Sequence, residues 1–399
     1  MKQLLDYPYD WNNILRKSKE IKDFLLSDSE GFIPKKIAVM SGSTINHITT
    51  ILELFCLNKG IKPEFYESDY GQFYEEVVFN NQQLLKFNPD VILIHTNYFN
   101  LTNLPLVNDD DSKIERKIND EFERYSQIWN KINQNFESII LQNNFEFPLL
   151  RSLGDLDIIL SYGITSYVNK MNLKFADTAK TSSNLYINDI NYMSARVGIE
   201  NWINMKFWRA YRYFMDFRFM PLYCNKIASK IASIYGLSKK SIITDLDNVM
   251  WGGIVGDDGP NNIHIGEDTP EGEGFIFYQK YLKELYERGI TLNISSKNNE
   301  KVALEGLNNE ANILGVDNFS KIKANWLPKS KNIKDIVEEL NISSDTTIFI
   351  DDSNFLDLIT NEEILKIVSA FLGENFILQL QNGIINRPVN EHHQTSWHR

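Results

Sequence analysis

Two aspartates separated by one residue, Asp245 and Asp247, carry the clearest chemical signal in this 399-residue chain. They follow the apolar pair Ile242 and Ile243, which indicates a buried strand. Glycines come next, at positions 252, 253, 256 and 259. An Asp-x-Asp at the carboxyl end of a parallel strand places two acids in the crevice where open α/β sheets bind ligands. Because neighbouring carboxylates repel, we interpret the pair as a Mg²⁺ site with a nucleophilic aspartate, although a solvated Asp/Gly turn would have the same local sequence.

Later segments offer further groups of the kinds that bind phosphate and metal ions. In chain order these are Ser296, Lys297 and Asn298 after the predicted strand Thr291–Ile294, Lys329 before the predicted helix Asn332–Leu340, and Asp351 and Asp352 after the predicted strand Thr346–Ile350. A serine hydroxyl at a strand end can hold a phosphoryl oxygen. Each group alone is weak evidence. Together with Asp245 and Asp247 they make four signals in this order, on alternating strands and helices, and the four predict one site.

The elements before position 240 alternate in the same way. The predicted elements are the helix Trp11–Leu26, the strand Lys36–Met40, the helix Ile45–Asn58, the strands Lys62–Glu67 and Asp90–His95, the helix Ile114–Asn135, the strand Ser138–Gln142 and the helix Leu222–Tyr235. This alternation predicts a parallel, doubly wound sheet with right-handed crossovers. The aromatic-rich region at about 145–235 is interpreted as core or interface rather than as a site for a flat ligand.

A second candidate site follows the first predicted strand. Ser43 lies where that strand turns into a helix, as the serine of an SGNH-type hydrolase does, and Asn97 or Asn100 would supply an oxyanion donor. Asp189 is the candidate acid, but Tyr192 stands three residues later, where that layout has histidine. A serine hydrolase needs a base, so we expect a capped helix start or an anion site here, not esterase activity.

Composition limits the classes of partner. The chain has 53 acidic and 41 basic residues and a net charge of −12, which argues against nucleic-acid or anionic-membrane binding. The two cysteines, Cys56 and Cys224, are far apart in apolar contexts, which is typical of buried thiols in a reducing cytosol. We find no signal peptide and no run of about 18 apolar residues, and therefore expect a cytoplasmic protein with no membrane span.

The order of these motifs resembles the haloacid dehalogenase (HAD) superfamily of aspartate-based phosphotransferases. The local sequence resembles subgroup IIIC, the FkbH-like proteins, which read close to DLDNTLWGGVIGEDG, CSKN, NW-x-PKS-x-NI and FIDDNPAE. The matching segments here are 245–259, 295–298, 325–333 and 349–356. Segments 41–45, 64–67, 87–90 and 189–192 also resemble the SGNH-like N-terminal part of those proteins.

The resemblance implies two doubly wound α/β domains. The chain is divided into an N-terminal helical segment (1–34), an SGNH-hydrolase-like domain with the aromatic connecting region (35–237), a HAD-like, Rossmann-type catalytic domain (238–380) and a polar tail (381–399). The strand end after Thr346–Ile350 is followed in this scheme by a predicted helix, Asn361–Leu372, and the short segment Phe376–Leu380.

The resemblance also implies a role for each site residue. Asp245 attacks phosphorus and forms an aspartyl-phosphate, while Asp247 protonates the leaving oxygen and then activates the acceptor. Mg²⁺ is bound by Asp245, the backbone carbonyl of Asp247, and Asp351 or Asp352. The substrate- and phosphate-binding set is Ser296, Lys297, Asn298, Lys329, Trp251, Gly252 and Gly253, with 251–253 forming a flap over the site.

Three positions depart from the FkbH-like pattern. Val249 replaces a threonine, Ser295 replaces the cysteine of CSKN, and Leu356 replaces a glutamate. If that cysteine carries an acyl thioester in the family, this chain cannot use the same route. The metal-binding acids are intact, so the departures bear on acyl transfer rather than on phosphate chemistry.

We therefore predict a Mg²⁺-dependent HAD phosphohydrolase or phosphoryl-transfer enzyme that acts on a small phosphorylated metabolite. One alternative is FkbH-like transfer of a glyceryl unit from 1,3-bisphosphoglycerate to an acyl carrier protein. Another is a non-catalytic binding protein that retains a metal site.

Overall fold

Short apolar strands build two separate parallel sheets, one in each of two units of the chain. The structure is a computed structural model that describes residues 1–27 and 31–352. The first unit spans Met1–Leu237 and the second Ser238–Arg399. The prediction of an α/β protein with parallel sheets is confirmed.

The first unit contains a sheet of five strands. They are β1 (Ile33–Ser41), β2 (Ile61–Glu67), β3 (Val91–His95), β4 (Ile139–Asn143) and β5 (Leu185–Asn188), in the order β2-β1-β3-β4-β5. All neighbouring pairs are parallel. Because β2 lies on one side of β1 and β3 on the other, the direction in which strands are added reverses between β1 and β3. Ligands of open α/β sheets bind at such a switch point, outside the carboxyl ends of the strands.

Helices cover both faces of this sheet. They are α1 (Trp11–Arg16), α2 (Ser18–Leu26), α3 (Asn46–Asn58), α4 (Glu75–Val78), α5 (Gln82–Phe87), α6 (Asp111–Asn135), α7 (Ile164–Thr181), α8 (Ile190–Val197), α9 (Ile199–Trp202), α10 (Met205–Tyr211) and α11 (Met220–Ile234). Because side chains alternate along a strand, Val39 and Leu93 pack into the core with α3 and α11, whereas Met40 and Ile94 pack into the core with α6 and α7.

The single helix predicted over Trp11–Leu26 is wrong in one respect. The segment forms two helices, α1 and α2, which meet at Lys17. Lys17 has φ −100° and ψ 15°, a ψ value that does not continue an α-helix. The apolar spacing still buries Ile14, Ile21 and Leu25, because both short helices face the same core.

The second unit contains a sheet of four described strands. They are β6 (Ser241–Thr244), β7 (Thr291–Ser296), β8 (Phe319–Ala324) and β9 (Thr347–Ile350), in the order β8-β7-β6-β9, and all pairs are parallel. Its described helices are α12 (Val255–Asp258), α13 (Pro270–Glu287), α14 (Glu300–Leu307) and α15 (Lys329–Glu339). The strand order here reverses between β6 and β9, which predicts the ligand crevice at their carboxyl ends.

Short 3₁₀ helices complete the described elements. They are Lys2–Leu5, Tyr98–Asn100, Gly154–Ile158, Phe217–Phe219, Val316–Asn318 and Ser344–Thr346. No helix in residues 1–27 or 31–352 combines the length and the apolar character needed to cross a membrane. Leu356, the predicted helix Asn361–Leu372, the segment Phe376–Leu380 and the predicted tail 381–399 lie outside the described residues.

Candidate functional site

Three carboxylates meet at the switch point of the second sheet. Asp245 directly follows β6, and Asp351 and Asp352 directly follow the adjacent strand β9. The Asp245 backbone N–H donates to the Ile350 carbonyl over 2.8 Å, which fixes the two strand ends side by side. One carboxylate oxygen from each of the three aspartates lies within 4.8 Å of the others. We call Asp245, Asp351 and Asp352 the carboxylate cluster.

The ammonium group of Lys329 lies against this cluster. Lys329 is the first residue of α15, and its Nζ donates to Oδ2 of Asp245 and to Oδ2 of Asp351. Burial acts against the charged form of the lysine, but the two carboxylates outweigh it and raise the pKa of Lys329. Burial also raises the pKa of Asp352 to about 6, and the negative charges of Asp245 and Asp351 act in the same direction. The cluster thus holds more negative charge than one lysine balances.

Asp247 is held differently from the carboxylate cluster. Its Oδ1 accepts hydrogen bonds from the Trp251 indole N–H and the Val255 backbone N–H, both at 3.0 Å. Its Oδ2 accepts from the Asn298 amide over 2.8 Å. Burial, with a smaller contribution from Asp245, raises the pKa of Asp247. Three neutral N–H donors therefore fix the side chain, and burial shifts its pKa in the direction that a proton donor requires.

Of the other predicted substrate-binding residues, Trp251 and Asn298 contact Asp247. Ser296 is the last residue of β7 and is buried, and Lys297 separates it from Asn298. Gly252 exchanges backbone hydrogen bonds with His264, and Gly253 has φ +92°, a conformation that favours glycine. A side chain at Gly253 would also place its Cβ 2.7 Å from the Asp258 carboxylate, which would have to move, so the positive φ is the main reason for glycine in this turn.

The second predicted site is only partly assembled. Ser43 and Asn97 lie just beyond β1 and β3, the strands that flank the switch point of the first sheet. Asp189 instead caps α8, since its Oδ1 accepts from the Tyr192 backbone N–H and from the Asn144 amide. The hydrogen bonds of Asp189 thus place it in a capping role, and the expectation of no Ser-His-Asp arrangement stays a prediction.

The sequence analysis did not predict a buried polar network at the strand ends next to Ser43 and Asn97. His95 Nδ1 lies 2.6 Å from the Tyr223 hydroxyl, which also accepts from the Asn143 amide over 3.0 Å. Asn188 donates to Asn143 Oδ1 over 2.8 Å. The polar residue at the end of each apolar strand was the sequence feature that could have indicated this network. Tyr223 lies 128 residues after His95, however, so spacing along the chain could not pair these two residues.

Comparisons with known proteins give a family match for the first unit and a similar fold for most of the chain. Residues 36–232 match the family model described as FkbH, N-terminal domain. A similar solved structure is the N-terminal part of the protein BF1531 from Bacteroides fragilis, which contains a phosphatase domain and is complexed with Mg. It is 23% identical, with a TM-score of 0.76, over 92% of this chain and 97% of that chain. No match was found among curated proteins.

Proposed function

On the premise that the chain is FkbH-like, we propose that it is a Mg²⁺-dependent phosphatase or phosphoryl-transfer enzyme of the HAD type. The substrate is a small phosphorylated metabolite, and the second unit is the HAD-like catalytic domain. The first unit is its SGNH-like companion. One observation carries the proposal: three carboxylates converge at the switch point of the second sheet, while Asp247 is held apart by neutral donors.

The carboxylate cluster fits a magnesium ion. Mg²⁺ prefers hard oxygen ligands and usually takes one or two carboxylates, with water and phosphate oxygens completing the shell. Asp245, Asp351 and Asp352 offer such oxygens within 4.8 Å of one another, and burial, together with the charges of Asp245 and Asp351, raises the pKa of Asp352. The similar structure of the N-terminal part of BF1531, which contains a phosphatase domain, is complexed with Mg. When bound here, Mg²⁺ would offset charge on the transferring phosphoryl group.

The protein side chains then divide the reaction between them. A carboxylate oxygen of Asp245 forms a bond to phosphorus as the bond from phosphorus to the leaving oxygen breaks, which gives an aspartyl-phosphate. Asp247 donates a proton to the leaving oxygen, and its carboxylate afterwards takes a proton from the incoming water. The water oxygen bonds to phosphorus as the bond from phosphorus to Asp245 breaks, which releases inorganic phosphate and restores the Asp245 carboxylate. Lys329 balances charge on the nucleophile. Ser296, Lys297 and Asn298 bind the phosphoryl group and the adjacent part of the substrate.

A phosphate-release screen tests this proposal. We expect a panel of phosphorylated small metabolites to yield inorganic phosphate in the presence of Mg²⁺. Chelation should abolish release, and added Mg²⁺ should restore it, because the cluster alone repels an incoming dianion. Release that is insensitive to chelation would contradict the metal assignment. Magnesium binding measured by calorimetry, without release from any panel member, would favour the non-catalytic alternative.

Glyceryl transfer to an acyl carrier protein is the second candidate, favoured by the family match over residues 36–232. A thioester route needs a thiolate beside the phosphoryl site. Position 295 carries a serine whose hydroxyl is buried without a partner among the described residues. Cys56 and Cys224 lie in the first unit, both fully buried, and burial raises the pKa of both thiols. Neither group has the character of an acyl-carrying thiolate.

We therefore expect phosphate release to survive replacement of both Cys56 and Cys224 by Ala. Truncating two buried thiols should lower the free energy of unfolding by about 1 kcal/mol each, without a change in the reaction. Phosphate assays and thermal denaturation measure the two effects. A glyceryl thioester on either cysteine, found by intact-mass spectrometry and lost in the double variant, would instead favour acyl transfer.

A further inference from the structure

We infer that the first unit contains a second ligand site, at the switch point of its own sheet, for a small uncharged molecule with a carbonyl and a hydroxyl group. We call it the edge site. Its lining residues are Ser43, His95, Asn97, Glu146 and Asn188. Each is fully buried, and each has a side-chain polar atom without a hydrogen-bond partner among the described residues. Buried polar atoms are nearly always paired in folded proteins, so five together indicate an absent partner.

The backbone brings the donors of the edge site together. Ser41 at the end of β1 is paired with His95 at the end of β3, and Ser43 and Asn97 each come two residues later. The Asn100 side chain joins the two loops, since it donates to the Gly42 carbonyl over 2.8 Å and accepts from the Asn97 backbone N–H over 2.9 Å. Gly42 is favoured here, because a Cβ would lie 2.9 Å from the His95 backbone carbonyl oxygen as well as 2.6 Å from the Asn100 side chain.

The next strands bring the acceptors to the same edge. Glu146 follows β4, and its Oε2 accepts from the Tyr98 backbone N–H, one residue beyond Asn97. Asn188 ends β5 and donates to Asn143 at the end of β4. The orphaned atoms of these residues are Glu146 Oε1 and Asn188 Oδ1. Since β1, β3, β4 and β5 are neighbours in the sheet, the lining residues form a continuous row along its carboxyl edge.

The hydrogen-bond roles specify the ligand. Asn97 Oδ1 accepts from the Phe99 backbone N–H, so the orphaned atom is its amide donor. We assign the Tyr223 hydroxyl proton to His95 Nδ1, the nearer acceptor at 2.6 Å, which leaves the His95 proton on the orphaned Nε2. Burial lowers the pKa of His95 to about 3, so the ring is neutral. With the Ser43 hydroxyl, these donors suit a carbonyl oxygen.

The acceptors and the charge balance complete the argument. Asn188 Oδ1 and Glu146 Oε1 suit the proton of a ligand hydroxyl. No lining residue is cationic, whereas a buried anion requires a paired charge or many donors. An anionic ligand would also face Glu146, whose pKa burial raises to about 7. The edge site is therefore suited to a neutral hydroxy-carbonyl compound rather than to the phosphorylated substrate of the second unit.

A small helix lies next to Ser43. The Thr44 backbone N–H donates to the Arg212 carbonyl over 2.9 Å, next to Ser43, and Phe99 stacks on Trp208 with ring centroids 4.1 Å apart. These contacts hold α10, which contains no buried residue. Its partly buried Met205, Phe207 and Trp208 pack against the core, so a displacement of α10 that opens the chain next to Ser43 also exposes these side chains.

The test uses methyl glycolate, a neutral ester with a hydroxyl group, titrated into the full chain by ligand-observed NMR and thermal denaturation. Glycolate serves as the charged counterpart. We expect methyl glycolate to bind and raise the melting temperature, and glycolate to bind at least tenfold more weakly. The variant Asp245→Asn should bind methyl glycolate as the wild type does, which separates this test from that of the phosphatase proposal.

Ser43→Ala gives the decisive comparison. It removes a hydroxyl that has no described partner, so the ligand-free variant should be as stable as the wild type or more stable. Its affinity for methyl glycolate should fall at least fivefold. Ser194→Ala is the matched control, because Ser194 is equally buried in this unit but donates to the Asn191 carbonyl over 2.8 Å. That control should lose stability and keep its affinity.

Asn97→Asp is a second variant that keeps the cap on the Phe99 N–H and removes the orphaned donor. It should also lose affinity at least fivefold. The inference is overturned if methyl glycolate does not bind the wild type, if Ser43→Ala binds it with unchanged affinity, or if glycolate binds as tightly as the ester.

Discussion

The Asp245→Asn variant is expected to release phosphate roughly 10³-fold more slowly than the wild type, or not at all. An amide oxygen is a far weaker nucleophile than a carboxylate, so the bond to phosphorus does not form. The replacement is nearly isosteric, and the Leu246 backbone N–H can still donate to the side-chain oxygen, as it does now over 2.7 Å. Lys329 keeps its contact with Asp351. The loss should therefore appear in turnover and not in folding, which near-ultraviolet circular dichroism would check.

The control for this variant is Asp317→Asn. Asp317 is an exposed acid of the same unit, remote in sequence from the cluster, and its replacement removes the same charge. Phosphate release should be unchanged in the control. If Asp245→Asn retains more than a tenth of wild-type turnover while it remains folded, Asp245 is not the nucleophile, and the chemistry must be assigned to another group.

The carboxylate cluster could be predicted because its geometry follows from topology alone. The carboxyl ends of neighbouring parallel strands meet at one edge, so acids that directly follow β6 and β9 must lie close together. Apolar runs before Asp245 and Asp351 were sufficient to place both strands. Lys329 was predicted from its position at the start of a helix, and the structure places its Nζ against both acids.

The contacts of Asp247 could not be predicted from the sequence, because they depend on the path of a loop. Trp251 is four residues from Asp247, whereas Asn298 is 51 residues away, and only the folded turn shows that both donate to its carboxylate. The strand β8 was also missed. Lys321 and Lys323 interrupt its apolar character, and both pair with Glu339 at 2.8 and 2.5 Å, as lysines on the edge of a sheet often do.

Replacing Asp247 by Asn should slow phosphate release by about 10²- to 10⁴-fold, the usual contribution of a general acid or base. The Asn oxygen can still accept from Trp251 and Val255, and the Asn298 amide can turn to present its own oxygen. Folding should thus be preserved, while the proton for the leaving oxygen is lost. Asp317→Asn again serves as the control for removal of one negative charge.

The leaving group distinguishes an acid from a purely structural residue. A nitrophenolate departs without a proton, whereas an alkoxide needs one, so Asp247→Asn should slow an alkyl phosphate at least tenfold more than p-nitrophenyl phosphate. Because burial raises the pKa of Asp247, the wild-type acid stays protonated to higher pH than an exposed aspartate would. With alkyl phosphates, wild-type turnover should therefore fall as the pH rises through that raised pKa, and this alkaline limb should be absent from the variant. Equal losses for both classes of substrate, with an unchanged pH profile, would mean that Asp247 only positions Trp251 and the flap.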